Sequence, residues 1–154
     1  MPRMKKNRMV HQPPLFNSFK PTGIRRDEIS SISLSLDEFE AIRLADYLGM
    51  EHLEASEEME ISRSTFTRLL DSARKKIALF LVEGRELSIE GGNIHFRRNF
   101  IQCFDCGHMF DIKIDDEISE CPECGSRNLK NFAGGYGHGR CCKDEKIKRR
   151  RRRQ

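Results

Sequence analysis

The chain has no tryptophan and only two tyrosines among its 154 residues, and 37% of it is hydrophobic against 34% charged. Such a chain buries only a modest core, as one domain of ordinary size or two small ones. No apolar run approaches the roughly 18 residues that a membrane span needs, and no apolar signal-peptide region follows the basic start. The chain therefore reads as cytoplasmic. A phosphate-binding loop, a Ser/His/Asp arrangement and a plausible acid–base pair are also missing, so enzyme chemistry is not expected. No internal repeat is evident.

Acid is missing from residues 1–26, which carry Arg3, Lys5, Lys6, Arg8, Lys20, Arg25 and Arg26. Residues 27–60 reverse the balance, with Arg43 the only base, and the chain ends on KIKRRRRRQ. The formal net charge of +4 hides this segregation. Basic ends of this kind suit contact with a polyanion.

Pro13, Pro14 and Pro21 deny the opening segment a helix, so residues 1–34 are expected to form an extended basic arm, either a tail or a minor-groove reader. LSLDEFEAIRLADYLG then announces a helix. Ser35 with Glu38 fits a capping box, Leu34 with Phe39 fits a hydrophobic staple, and Gly49 suits the C-terminal stop. Ala41, Ile42, Ala45 and Leu48 form its expected buried stripe. A short second helix fits MEHLEASEEM, with Leu53, Ser56 and Met59 inward. Ser62 caps a third helix running to about Val82 and stopped by Gly84. Its apolar stripe is Phe66, Leu69, Leu70, Ala73 and Ile77; Ser64, Thr67, Arg68, Asp71 and Lys75 share the opposite face. ELSIEGGNIHF reads as a small hairpin turning at Gly91-Gly92.

Two helices joined by about three residues, the second opening Ser-Arg-Ser-Thr, match helix-turn-helix geometry. Ser62, Ser64, Thr65 and Thr67 are short donors for phosphate oxygens, while Arg63 and Arg68 can reach a phosphate or a guanine edge. Residues 34–81 resemble the helix-turn-helix of sigma-factor region four. More closely, residues 1–92 resemble a family of small uncharacterised prokaryotic proteins regarded as DNA-binding. The shared stretches are the MPR start with its basic run, FKPTGI, LSLDEFEAIRLAD, EASEEMEISRSTFTRLL and LSIEGG. The resemblance implies DNA binding and transcriptional regulation. One departure is Glu60, which stands at the turn position usually held by glycine. A three-helix packing unit without nucleic acid is the plainer alternative.

CFDCGHMFDIKIDDEISECPECG places Cys103, Cys106, Cys121 and Cys124 in two C-x-x-C pairs, each followed by a glycine. This is zinc-ribbon spacing, in which four thiolates hold Zn²⁺ tetrahedrally. One zinc per chain is expected; iron, which the same sulfurs accept, is the lesser reading. The ribbon would serve DNA contact, or be a knob or protein-docking surface. His108 reads as a strand residue rather than a ligand. His11, His52 and His95 show no interpretable arrangement. GGYGHGRCC reads either as a linker or as a metal- or redox-responsive segment built on Cys141 and Cys142, with His138. The run Arg149–Arg153 would add salt-sensitive affinity for DNA.

The expected fold class is mainly α. A helix-turn-helix domain with a hairpin spans residues 35–98, a small β zinc ribbon residues 99–133, and a Gly/Cys segment with a disordered basic tail residues 134–154. The expected function is sequence-specific binding of double-stranded DNA in transcriptional regulation. Two rivals stand beside it: a ribbon adaptor on the transcription or translation machinery, and a metal or thiol sensor. Double-stranded DNA is the expected partner; the transcription machinery and a homodimer stay open, and no membrane is expected.

Overall fold

Three short strands precede the first helix: β1 (Arg8–Val10), β2 (Ser18–Phe19) and β3 (Ser31–Leu34), with a single 3-10 turn at Arg26–Glu28. The structure is a computed structural model that describes residues 7–113 and 116–132. Arg3, Lys5, Lys6, His138, Cys141, Cys142 and Arg149–Arg153 lie outside the described residues. Contacts divide the described residues into two units, 7–10 with 14–94, and 11–13 with 95–113 and 116–132.

In the first unit, α1 (Leu36–Ile42) runs on as a π-helical segment, Arg43–Tyr47. It is followed by α2 (His52–Glu58), α3 (Arg63–Glu83) and β4 (Glu86–Ile89). Ser35 and Glu38 form the expected capping box, the Ser35 amide donating to Glu38 Oε2 at 3.0 Å. Ala41, Leu44, Ala55, Met59, Phe66 and Leu70 make one buried cluster, with Ile61 and Leu69 packed against it. The widened turn alters which face of α1 is buried. Leu44 goes inside, while Leu48, expected in the stripe, is 51% exposed. On α2, Ser56 and Met59 are buried as expected, but Ala55 takes the place assigned to Leu53, which is exposed.

The mainly α expectation is wrong. Helical segments of all kinds hold 35% of the described residues and strands in three small sheets hold 24%, so the class is mixed α/β. β4 lies between β2 and β3, antiparallel to β2 (Ser18↔Ser88) and parallel to β3 (Ser31↔Glu86 to Leu34↔Ile89). The expected hairpin is therefore absent: β5 (Ile94–Phe96) is not a partner of β4 and enters a separate two-stranded sheet. The described part of the arm is tied down rather than free. The Arg8 amide donates to Asn93 O at 2.8 Å, the Met9 amide to Met59 O at 3.1 Å, and the Arg8 guanidinium pairs with buried Asp37. Gly92 lies so close that a Cβ there would meet Asp37 Oδ1 at 2.9 Å.

In the second unit, β6 (Arg98–Cys103) is central in an antiparallel sheet with β7 (Met109–Lys113) and β8 (Leu129–Asn131) on its flanks.

Candidate nucleic-acid interface and metal centre

The link from α2 to α3 has a defined backbone geometry. Glu60 takes φ 55°, among the described residues the only non-glycine with positive φ. The Ile61 amide donates to Ser56 O at 3.0 Å and the Glu60 amide to Glu57 O at 3.0 Å. These two bonds are those of a Schellman stop, with glutamate where glycine usually stands. Ser62 then caps α3, its hydroxyl accepting from the Thr65 amide at 3.2 Å. Ser62 Oγ also lies 2.8 Å from Thr65 Oγ1 and 3.2 Å from Ser64 Oγ, so the helix start is ringed with hydroxyls.

Phe66, Leu70 and Ala73 are fully buried, while Arg63, Ser64, Arg68, Asp71 and Lys75 are exposed. The cations of α3 fall into two groups. Arg74 pairs with Asp46 at 2.6 Å, and Lys76 donates to Glu38 at 2.8 Å, both across to α1 or its extension. Among the described residues, Arg63, Arg68 and Lys75 have no acidic partner. Thr65 and Thr67 are half-buried. Thr67 Oγ1 lies 3.2 Å from His52 Nδ1, and the His52 ring meets Phe66 edge-on at 5.5 Å. Nothing in the sequence pattern announced that contact, because it depends on how α2 crosses α3.

The four cysteines converge. Their sulfurs all lie within 4.8 Å of one another, with Cys103 and Cys121 buried and Cys106 and Cys124 exposed. The sulfurs of Cys103 and Cys124 are 3.6 Å apart, those of Cys106 and Cys121 3.7 Å. These separations are far beyond a disulfide bond. They match the spacing of about 3.8 Å that a tetrahedral metal imposes at a metal–sulfur distance near 2.3 Å. The donor set thus fits a metal ion.

Two backbone turns of the same design produce this convergence. Gly107 and Gly125 take φ 75° and 73°, and their amides donate to the carbonyls of Cys103 and Cys121 at 2.9 Å each. The Cys103 amide reaches His108 O and the Cys121 amide reaches Ser126 O, five residues on in both turns. The Cys106 amide aimed at its sulfur lowers the Cys103 thiol to about 7 against the effect of burial. Cys124 receives the Ser126 amide, yet desolvation beside its neighbours and the crowding thiols of Cys106, Cys103 and Cys121 push it up to about 12. Four thiols this close cannot all ionise without a cation among them. His108 is no ligand here; it stacks on Phe110 at 5.5 Å.

A side-chain clasp joins the two turns. The Asp105 carboxylate accepts from the Ser126 hydroxyl and, at 3.2 Å, from the Asn128 side-chain amide. The Phe104 amide donates to Asn128 O at 3.0 Å.

Residues 1–97 match a family model described as Protein of unknown function DUF134. The chain belongs to this family. A UPF0251 protein of Chloroherpeton thalassium is 48% identical over 143 residues, covering 91% of this chain and 95% of the relative. One from Pelotomaculum thermopropionicum is 46% identical over 126 residues, covering 82% and 95%. Another, from Clostridium novyi, is 40% identical over 129 residues, covering 84% and 88%. The 91% covered by the first leaves too few residues over for that match to stop short of Cys124, although the family model itself ends at residue 97. Among the described residues, no helix of this DUF134 member is long and apolar enough to cross a membrane.

Proposed function

We propose that this DUF134 member binds double-stranded DNA sequence-specifically as a transcriptional regulator, with α3 in the major groove. The observation that carries the reading is the division of labour on α3. Its inner face is filled by Phe66, Leu70 and Ala73, and Arg74 and Lys76 are engaged by acids, yet Arg63 and Arg68 stand exposed without partners among the described residues. An exposed cation held in no ion pair is free to turn toward a phosphate or a guanine edge. Ser62, Ser64, Thr65 and Thr67 would supply the phosphate contacts, Thr67 in competition with His52. The Schellman turn at Glu60 gives the sharp change of direction that a helix-turn-helix needs.

Zinc is the metal we assign to Cys103, Cys106, Cys121 and Cys124, since four thiolates in tetrahedral spacing suit it and leave no open position for catalysis. It would fix the two turns together and contribute folding free energy to a sheet too small to stand on apolar burial. No enzymatic role is proposed. The test is selection of genomic fragments by purified, metal-loaded protein at near-physiological salt. Enrichment of a shared sequence is expected; recovery of fragments without any common sequence contradicts the reading.

A further inference from the structure

We infer that the ribbon sheet carries a second nucleic-acid site, one for single strands, on the face that bears Phe100 and Phe132. Alternate residues of a strand share a face. The register sets Arg98 opposite Lys113, Phe100 opposite Asp111, and Gln102 opposite Lys130. These residues therefore occupy one face of β6, β7 and β8. Two side-chain contacts agree: Arg98 bonds Asp111 at 2.7 Å, and the Lys130 ammonium sits 5.7 Å from the centre of the Phe132 ring. The other face has a different task. It holds buried Ile101 and Cys103, and Asn131 donates to Asn99 across it at 3.2 Å.

The first face joins half-buried phenyl rings, Phe100 and Phe132, to three exposed cations, Arg98, Lys113 and Lys130. Its one acid, Asp111, is neutralised by Arg98. Among the described residues, the unit's other acids lie at the cysteine turns (Asp105, Glu120, Glu123) or just after Lys113 (Asp116, Glu117). Asp105 and Glu120 are engaged there by Ser126, Asn128 and Arg127. Rings for stacking beside cations for phosphate are what an unpaired strand uses, because its bases expose their flat faces. A duplex hides those faces, so the rings would be idle against it. The site is independent of α3 and of the reading given to it.

The experiment uses the full, metal-loaded chain and a fluorescent oligothymidylate, with a duplex of equal length alongside. Phe100→Leu with Phe132→Leu keeps apolar bulk but removes both flat rings. It should weaken oligothymidylate binding about tenfold or more while duplex affinity and metal content stay unchanged. Lys113→Gln with Lys130→Gln removes two exposed cations, Lys130 with its contact to the Phe132 ring, and provides the second arm. It should reduce the salt dependence of single-strand binding by about 1.4 units of slope, roughly 0.7 for each phosphate no longer neutralised. Wild-type protein that does not bind the oligothymidylate at low salt would overturn the proposal. So would leucine and glutamine variants that bind it as wild type does, or that lose single-strand and duplex binding equally.

Discussion

Glu60 holds φ 55° with a full side chain in a place where glycine is at ease. A residue with a Cβ there is strained by roughly 1–2 kcal/mol, and the helix turn is fixed in spite of it by the Ile61 and Glu60 amides. Glu60→Gly should therefore stabilise the protein by about 0.5–1 kcal/mol, after the entropy of a freer unfolded chain is deducted; Glu60→Ala should bring no such gain. Urea melts of the two variants decide it. The C-x-x-C spacing made the cysteine cluster legible residue by residue, because a turn closed by glycine is a local structure. Asp105 was invisible in the same stretch. Its partners Ser126 and Asn128 are about twenty residues away, and only the folded turns bring them together. Asp105→Ala should speed release of metal to a chelator by about 10–100-fold, and Asp105→Asn should recover part of the loss. Release at the wild-type rate from the alanine variant would mean that the clasp does not hold the site.

At the level of elements, the helices were legible because their signals are local: Ser35 with Glu38, Ser62, and the glycines Gly49 and Gly84. Strands β4 and β5 lie where ELSIEGGNIHF suggested strands, but β2, β3 and the pairing of β4 were not legible. β2 and β3 are two and four residues long, and their partner β4 lies more than fifty residues away, so no periodicity within them announces a sheet. Burial of acids was equally hidden. Glu38 is buried, yet it accepts from Lys76, from the Ser72 hydroxyl at 2.7 Å and from the Ser35 amide. Burial raises its pKa, but these hydrogen bonds outweigh burial and hold it below its ordinary 4.5. A depressed carboxyl contributes stability above its unfolded value, and that contribution is lost as pH falls through the lower folded value. Lys76→Met should accordingly destabilise the protein by roughly 1.5–3 kcal/mol at pH 7, with the difference from wild type shrinking below about pH 4.5. A difference that stayed constant down to about pH 3 would show that packing, not the charge on Glu38, is what Lys76 supports.

For the whole molecule, the two units are held by different physics. The first has an apolar cluster of six buried residues around Phe66, whereas the second gathers four thiols round one point. Stripping metal should abolish the ordered amide signals of β6, β7 and β8 and leave those of α1, α2 and α3 in place, as followed by NMR or hydrogen exchange. Contacts divide the chain between Ile94 and His95. Charge segregation was plain in the sequence, but its use was not. Arg8, from the basic start, pairs with Asp37 inside the fold, so that cation is not available to DNA.

Whether the exposed face of α3 reads DNA is decided by one comparison. Wild type and the double variant Arg63→Ala with Arg68→Ala should be titrated against a genomically selected duplex and a scrambled one, after thermal melts have shown both proteins folded. The melts should coincide, since both arginines are exposed and unpaired among the described residues. Removing a base-edge interaction should weaken binding to the selected site by about 1–3 kcal/mol per arginine and relax the preference for it over the scrambled duplex. Equal affinity and equal selectivity in the folded double variant would leave α3 as a core helix alone, and DNA reading by this face would be refuted.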